Sequence, residues 1–259
     1  MALLTLVPIV WMVLTSFKTA AEVGANPPTW WPREWHPENY STAWNFAPFG
    51  RYLFNSVVMV GGITVLQVVT SALAAYAFAR LKFRFRKTVL MVFLATYMLP
   101  QISLLIPLYM ILNSLGLLDT KLGLVLVDCS LVIPFTLWIL SNYFLTIPEE
   151  LEEAARIDGC SRIGALLRVI LPSAKPGIFA AIMFAFLLAW DEFMYALIFT
   201  SSDASKTLPV AISEFAGRYT TDFGLVAAGG IVAALPPIII AILFQKYIVS
   251  GMAAGAVKG

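Results

Sequence analysis

Charge is scarce in this sequence. Asp, Glu, Lys and Arg supply 12% of its 259 residues against 60% hydrophobic, where soluble proteins carry about 25% charged residues. Water around most of the chain is thereby excluded, and bilayer is the expected solvent. Histidine is nearly missing: the single His36 leaves metal hydrolysis and Ser/His or Cys/His catalysis without a ligand set or a base, and reads as a solvated loop residue. The two cysteines, Cys129 in a hydrophobic segment and Cys160 in a polar loop, suit neither a structural disulfide nor a metal site. Outside one short loop there is no Lys- and Arg-rich run interleaved with aromatics, so the net charge of +2 implies no nucleic-acid partner. No GxxxxGK[ST] run occurs, and with it goes the phosphate-cradling loop of an ATPase. The chain is expected not to be an enzyme and to carry no metal or other cofactor of its own.

Long uncharged runs are what the sequence has instead. About 20 residues at roughly 1.5 Å each cross the hydrocarbon of a bilayer. Residues 52–79, 88–118, 129–148 and 223–245 qualify outright; 176–202 qualifies if Asp191 and Glu192 face protein or water, and 1–17 makes a short run. The expected fold is an all-α membrane protein, one domain over 1–259, with six transmembrane helices near 1–17, 54–79, 88–112, 124–146, 177–200 and 223–246. A start inside a hydrophobic run suggests a leader of cytoplasmic residues before it; Thr19-Ala20-Ala21 resembles a cleavage region, but no basic residue precedes it. No tandem repeat or low-complexity tract interrupts the pattern.

Cytoplasmic loops retain Lys and Arg. Loop 80–87, loop 147–176 and the tail hold eleven of them, including Lys246 and Lys258; the other side holds Lys18, Arg33, Arg51, Lys121, Lys206 and Arg218 over longer loops. Both termini are expected in the cytoplasm. Pro8, Pro100, Pro107, Pro134 and Pro236-Pro237 interrupt the hydrophobic runs, which a bilayer tolerates where neighbours or water satisfy the freed carbonyls. The pairs Gly224 and Ala228, Gly229 and Ala233, and Gly230 and Ala234 allow close helix approach, so the last helix is expected inside a bundle.

The most informative stretch is the loop 147–176, IPEELEEAARIDGCSRIGALLRVILPSAKP, which reads as two short helices. Pro148 suits a first helical position, and Glu149, Glu150, Glu152 and Glu153 favour the positive end of the helix dipole. Arg156 follows Glu152 and Glu153 at supporting spacing. Gly159 can take the left-handed conformation that ends a helix, and Ser161 can cap the next. Ile163, Leu166, Leu167, Ile170 and Leu171 then recur at helical spacing as one apolar face, until Pro172 stops it.

Glu153-Ala154-Ala155, followed by Asp158-Gly159 and then Ile170-Leu171-Pro172 between two spans, resembles the EAA loop of bacterial ABC-importer permeases. The resemblance implies a coupling helix that docks into a cleft of a cytosolic ATPase subunit. Its contact set would be Glu153, Ala154, Ala155, Asp158, Gly159, Leu171 and Pro172, with Glu153 pairing a basic residue of the ATPase. ATP and Mg would be bound by that partner. Nearly the whole chain is similar to the smaller, six-span permease of maltose-type carbohydrate importers. The marks are Ser16-Phe17-Lys18, Asn55-Ser56, Gly116-Leu117-Leu118-Asp119-Thr120 and the ending Gly255-Ala256-Val257-Lys258-Gly259. This implies a second, homologous permease, a pair of ATPase subunits and an extracytoplasmic solute-binding protein as partners, and a bacterial or archaeal plasma membrane as the location. Other small solutes, such as amino acids or glycerol phosphates, stay open as cargo, as does an ion-coupled secondary transporter.

Three acids lie within or beside the spans. Trp190-Asp191-Glu192-Phe193 stands where relatives often have Trp-Asn-Glu-Phe, and a carboxylate at membrane depth costs about 2.5–3.5 kcal/mol unless it meets protein or water. Asp191, Glu192 and Asp128 are therefore candidate pathway or intramembrane polar residues, with hydrogen bonding to the fold the equal alternative for Glu192. The run Pro27 to Trp35, with three tryptophans, reads as an interfacial anchor. Contact with the binding protein is implied more by the loop 203–223.

Overall fold

The computed structural model describes residues 2–215 and 222–256, and among them every regular element is helical. In chain order these are α1 (Ala2–Thr15), α2 (Ala20–Val23), α3 (Glu38–Phe46), α4 (Phe49–Arg80), α5 (Arg86–Tyr97), α6 (Gln101–Ser114) and α7 (Lys121–Leu145). There follow α8 (Glu149–Ile157), α9 (Arg162–Ala165), a π-helical turn (Leu166–Ile170), α10 (Leu171–Ser173), α11 (Lys175–Trp190), α12 (Met194–Phe199), α13 (Leu208–Glu214) and α14 (Phe223–Ala256). Arg218, Lys258, the last three residues of the ending motif and part of the loop 203–223 lie outside the described residues.

Three helices are long and apolar enough to cross a membrane: α4, α7 and the Phe223–Gln245 part of α14. Two further expected spans are broken. In place of one helix over 88–112, α5 and α6 meet at 94°. The corner is Met98-Leu99-Pro100, where Pro100 is extended (φ −63°, ψ 120°); proline has no N–H to give and pushes the preceding residue out of helix. Pro8, Pro107, Pro134, Pro236 and Pro237 all lie inside helices. The expected span 177–200 is likewise α11, a break at 191–193 and α12. Counting each bent pair that passes the length test as one span gives five, and α1 contributes a shorter apolar helix, Leu4–Thr15. Run length alone had read six, because it does not register a corner inside an apolar stretch.

The chain divides into two compact units. One gathers residues from 1–58, 118–121 and 191–239. Its hub is Ser16-Phe17-Lys18. The Ser16 hydroxyl meets the Tyr40 hydroxyl at 2.8 Å, the Asn39 amide donates to the Ser16 and Lys18 carbonyls at 3.0 and 2.8 Å, and the buried Lys18 ammonium donates to the Thr29 carbonyl. Lys18 also sits 4.7 Å from the centre of the Trp11 ring, a cation–π arrangement. Asp222 caps α14, its carboxylate accepting from the Gly224 and Leu225 amides at 2.9 and 3.1 Å. Gly224 is required there, since a β-carbon would lie 2.7 Å from the Lys18 carbonyl oxygen. The close approach expected of α14 is confined to its first half: Ala227 and Ala228 are buried, whereas Leu235, Ile238, Ile239, Ile242 and Leu243 are exposed.

The other unit gathers residues from 59–117, 122–190 and 240–259. Its core joins Ala72, Ala75, Tyr76 and Ala79 of α4 with Leu137, Leu140 and Phe144 of α7, and with Ile147, Leu166, Ile170, Ala174 and Ala181. The small residues of α4 bring helix backbones together in the manner of membrane bundles. The 147–176 segment is thereby seated directly on α4 and α7.

Candidate functional site

The segment 147–176 begins with α8. Pro148 occupies its N-cap position rather than its first turn (φ −55°, ψ 137°), and Glu149, Glu150 and Glu152 fill the first turn. Gly159 ends it with φ +89°, a backbone conformation in which a β-carbon is strained. The Ser161 hydroxyl then accepts from the Gly164 amide at 3.1 Å and starts α9. These local signals are chemically simple, and the backbone follows them.

Of the nine residues of α8, Glu152 and Ala155 are the buried ones. Glu152 does not support Arg156 on its own helix. One carboxylate oxygen accepts from the Tyr76 hydroxyl at 2.5 Å, and the other lies 3.2 Å from Nε of Arg80, with side-chain exposures of 5% for Arg80 and 10% for Glu152. A second guanidinium nitrogen of Arg80 donates to the Ile147 carbonyl at 2.7 Å. Tyr76 and Arg80 are four residues apart and share one face of α4. Above this cluster opens a cavity of about 590 Å³ whose lining includes Lys82, Glu149, Glu153, Arg156 and Arg162.

The residues expected to contact a partner present outward. Glu153, Ala154, Asp158, Gly159 and Pro172 are exposed, Leu171 is half-buried, and Ala155 faces inward. The expected single apolar face does not exist. Leu166 and Ile170 enter the core, while Ile157, Ile163 and Leu167 remain 86%, 65% and 56% exposed. The reason is the π-helical turn over Leu166–Ile170, which adds a residue to the turn and shifts the register on which a 3.6-residue face depends. Nor does Pro172 stop the helix: it opens α10, and the chain bends by 83° two residues later, at Ala174. The result is an acidic row and three exposed aliphatic side chains on a segment held from beneath, a surface shaped for docking.

The intramembrane acids fall apart as a group. Glu192 accepts from the Tyr195 and Ala196 amides at 2.7 and 2.9 Å and so caps α12. The neighbouring Asp191 is exposed, and Asp128 is buried in α7 with 3% exposure. No two of the three form one site. The backbone role of Glu192 was one of the two alternatives open in the sequence.

Sequence reasoning missed Tyr76 and Arg80, and missed what Asp119 does. Asp119 (φ +57°) takes the Ser201 and Ser202 amides at 2.8 and 2.9 Å on one carboxylate oxygen, together with the Ser205 hydroxyl. Burial acts to raise this carboxyl, but the amide and hydroxyl donors outweigh it and hold it well below the usual aspartate range. The same loop is held by Asn55, whose amide donates to the Lys206 carbonyl at 2.9 Å, by Ser56, which accepts the Leu208 amide at 2.8 Å, and by Tyr52, which donates to Asp203 at 2.6 Å. Short motifs noted for their resemblance thus prove to be the pins of one loop, 200–208.

Comparison with known proteins is consistent across sequence and fold. Residues 67–254 match the family model described as binding-protein-dependent transport system inner membrane component. A sulfoquinovosyl glycerol transport system permease protein from Agrobacterium fabrum is 40% identical over 98% of this chain and 89% of its own length. A trehalose/maltose transport system permease protein from Thermococcus litoralis is 38% identical over 100% of this chain and 94% of its own. Among solved structures, a bacterial ABC transporter involved in import of the acidic polysaccharide alginate shares the fold with a TM-score of 0.78 at 22% identity, covering 95% of this chain and 92% of that one.

Proposed function

Because the chain belongs to the family of binding-protein-dependent transport system inner membrane components, we propose that it is a permease subunit of an ATP-driven importer for a sugar or sugar derivative. It forms the translocation pathway with a second, homologous permease and receives cargo from an extracytoplasmic binding protein. A pair of cytosolic ATPase subunits supplies the hydrolysis, since this sequence has no phosphate-cradling loop and the chain does no catalysis itself. Both termini and the 147–176 segment lie in the cytoplasm, where the Lys- and Arg-rich loops belong.

The observation that carries this reading is the 147–176 segment. Its outer surface offers Glu153 and the Ala154 surface between two apolar side chains, Leu151 and Ile157, and its Gly159 turn keeps that surface clear of the following helix. Small side chains let a partner's cleft close around the helix, and a carboxylate desolvated by such closure is costly to leave unpaired. Carbohydrate as cargo rests on the sugar transport names of relatives at 38–40% identity over nearly the whole chain.

The test is pull-down of the membrane-extracted chain with mass spectrometry, then uptake by the recovered complex in proteoliposomes. The probes are labelled maltose, trehalose and sulfoquinovosyl glycerol, with methionine as the non-sugar control. Recovery of an ATPase, a second permease and a binding protein, with ATP-dependent uptake of a sugar, is the expected result. Recovery of the chain alone from a preparation that still transports overturns it, and uptake of methionine alone overturns the cargo class.

A further inference from the structure

Glu152 and Glu153 are neighbours in sequence with opposite surroundings. Glu153 is exposed, whereas Glu152 is 7% exposed and held by Tyr76 and Arg80 of α4. Since Ala155 is the other buried residue of α8 and offers only a methyl group, the Glu152 carboxylate is the directional link between α8 and the helices beneath it. Arg80 extends that link, because its second nitrogen holds the Ile147 carbonyl just past the end of α7. One guanidinium therefore joins α4, α8 and the start of the 147–176 segment. A buried pair of this kind stays together under load, since separating it leaves a desolvated charge without its partner.

Resting on the importer reading above, we propose that Glu152, Tyr76 and Arg80 form a positioning clasp that makes α8 and α4 move as one body. Displacement of α8 by the ATPase is handed to the spans through this carboxylate. Glu153 works on the outward side of the same helix and supplies affinity for the ATPase; Glu152 supplies transmission. The two acids separate binding from coupling, although they are adjacent and chemically alike.

The variants Glu152→Gln and Tyr76→Phe each keep side-chain volume and remove the charge or one hydrogen bond of the clasp. The charge swap Arg80→Glu with Glu152→Arg restores opposite charges in reverse. Each is purified as the assembled complex and reconstituted with the binding protein and whichever panel sugar the wild-type complex takes up. Expected for Glu152→Gln and Tyr76→Phe are wild-type subunit stoichiometry, basal ATP hydrolysis within about twofold, and a fall of fivefold or more in sugar transported per ATP hydrolysed. The swap is expected to recover half or more of the ratio lost in either single charge reversal. An unchanged transport-to-hydrolysis ratio in both conservative variants overturns the clasp, as does loss of assembly in them that the swap does not repair. A wild-type chain that brings down no ATPase overturns the importer reading itself; a wild-type complex that couples, with variants that couple equally well, overturns the clasp alone.

Discussion

Asp119 gathers three donors on one oxygen at a backbone conformation that few residues enter. Asparagine tolerates that conformation, so Asp119→Asn exchanges a charged acceptor for a neutral one without adding strain. Hydrogen bonds to charged groups contribute about 1.5–3 kcal/mol against about 0.5–1.5 for neutral ones; the variant is expected to lose about 1 kcal/mol at pH 7, read from thermal unfolding in detergent. Because the folded carboxyl is held below its ordinary value, its contribution is complete above the unfolded pKa of about 3.9 and is lost as pH falls through the lower folded value. The gap between wild type and variant should therefore close below about pH 4; a gap that widens on acidification contradicts this. Glu153→Ala is expected to weaken association with the ATPase at least tenfold, measured by titrating the ATPase onto detergent-solubilised permease, while the circular dichroism of the helices stays unchanged. At this scale the sequence was readable where a residue acts on its own backbone, as at Gly159 and Ser161. It was opaque where the partner lies far along the chain, as for Asp119 with the serines and for Tyr76 with Glu152.

Helices were readable from apolar run length, and their corners were not. An uninterrupted run such as 88–118 carries no mark to say that Pro100 breaks it while Pro107 is carried inside α6, since in both cases the outcome depends on whether neighbours replace the missing hydrogen bond. The π-helical turn is hidden for the same reason: its extra residue matters only once Leu166 and Ile170 have a core to enter. Close packing between elements is testable at Gly177, where a β-carbon would lie 2.4–2.8 Å from ring atoms of Tyr143. Overpacking of this kind costs about 1–3 kcal/mol, so Gly177→Ala should lower the unfolding temperature of the purified protein. Adding Tyr143→Leu should return part of the loss. A single variant as stable as wild type rules out this contact.

For the whole molecule, orientation is the property most open to direct measurement. Cys160 is half-exposed in the 147–176 segment and Cys129 is buried in α7, so the natural sequence already carries one reporter. A membrane-impermeant maleimide should label Cys160 in inside-out vesicles and leave it unlabelled in intact cells, and bound ATPase should slow that labelling severalfold. Labelling from outside intact cells would reverse the assigned topology.

The sequence by itself determined the solvent, the all-helical class, the docking segment and the family, because apolar run length, charge placement and the spacing of Glu153-Ala154-Ala155 to Gly159 are local quantities that the backbone obeys wherever it folds. Tertiary structure decided which of two adjacent glutamates turns inward, which proline makes a corner and which loop the conserved-looking Asp119 holds. Each of those outcomes depends on a partner brought near by folding, and a buried carboxylate is stable only where that partner waits.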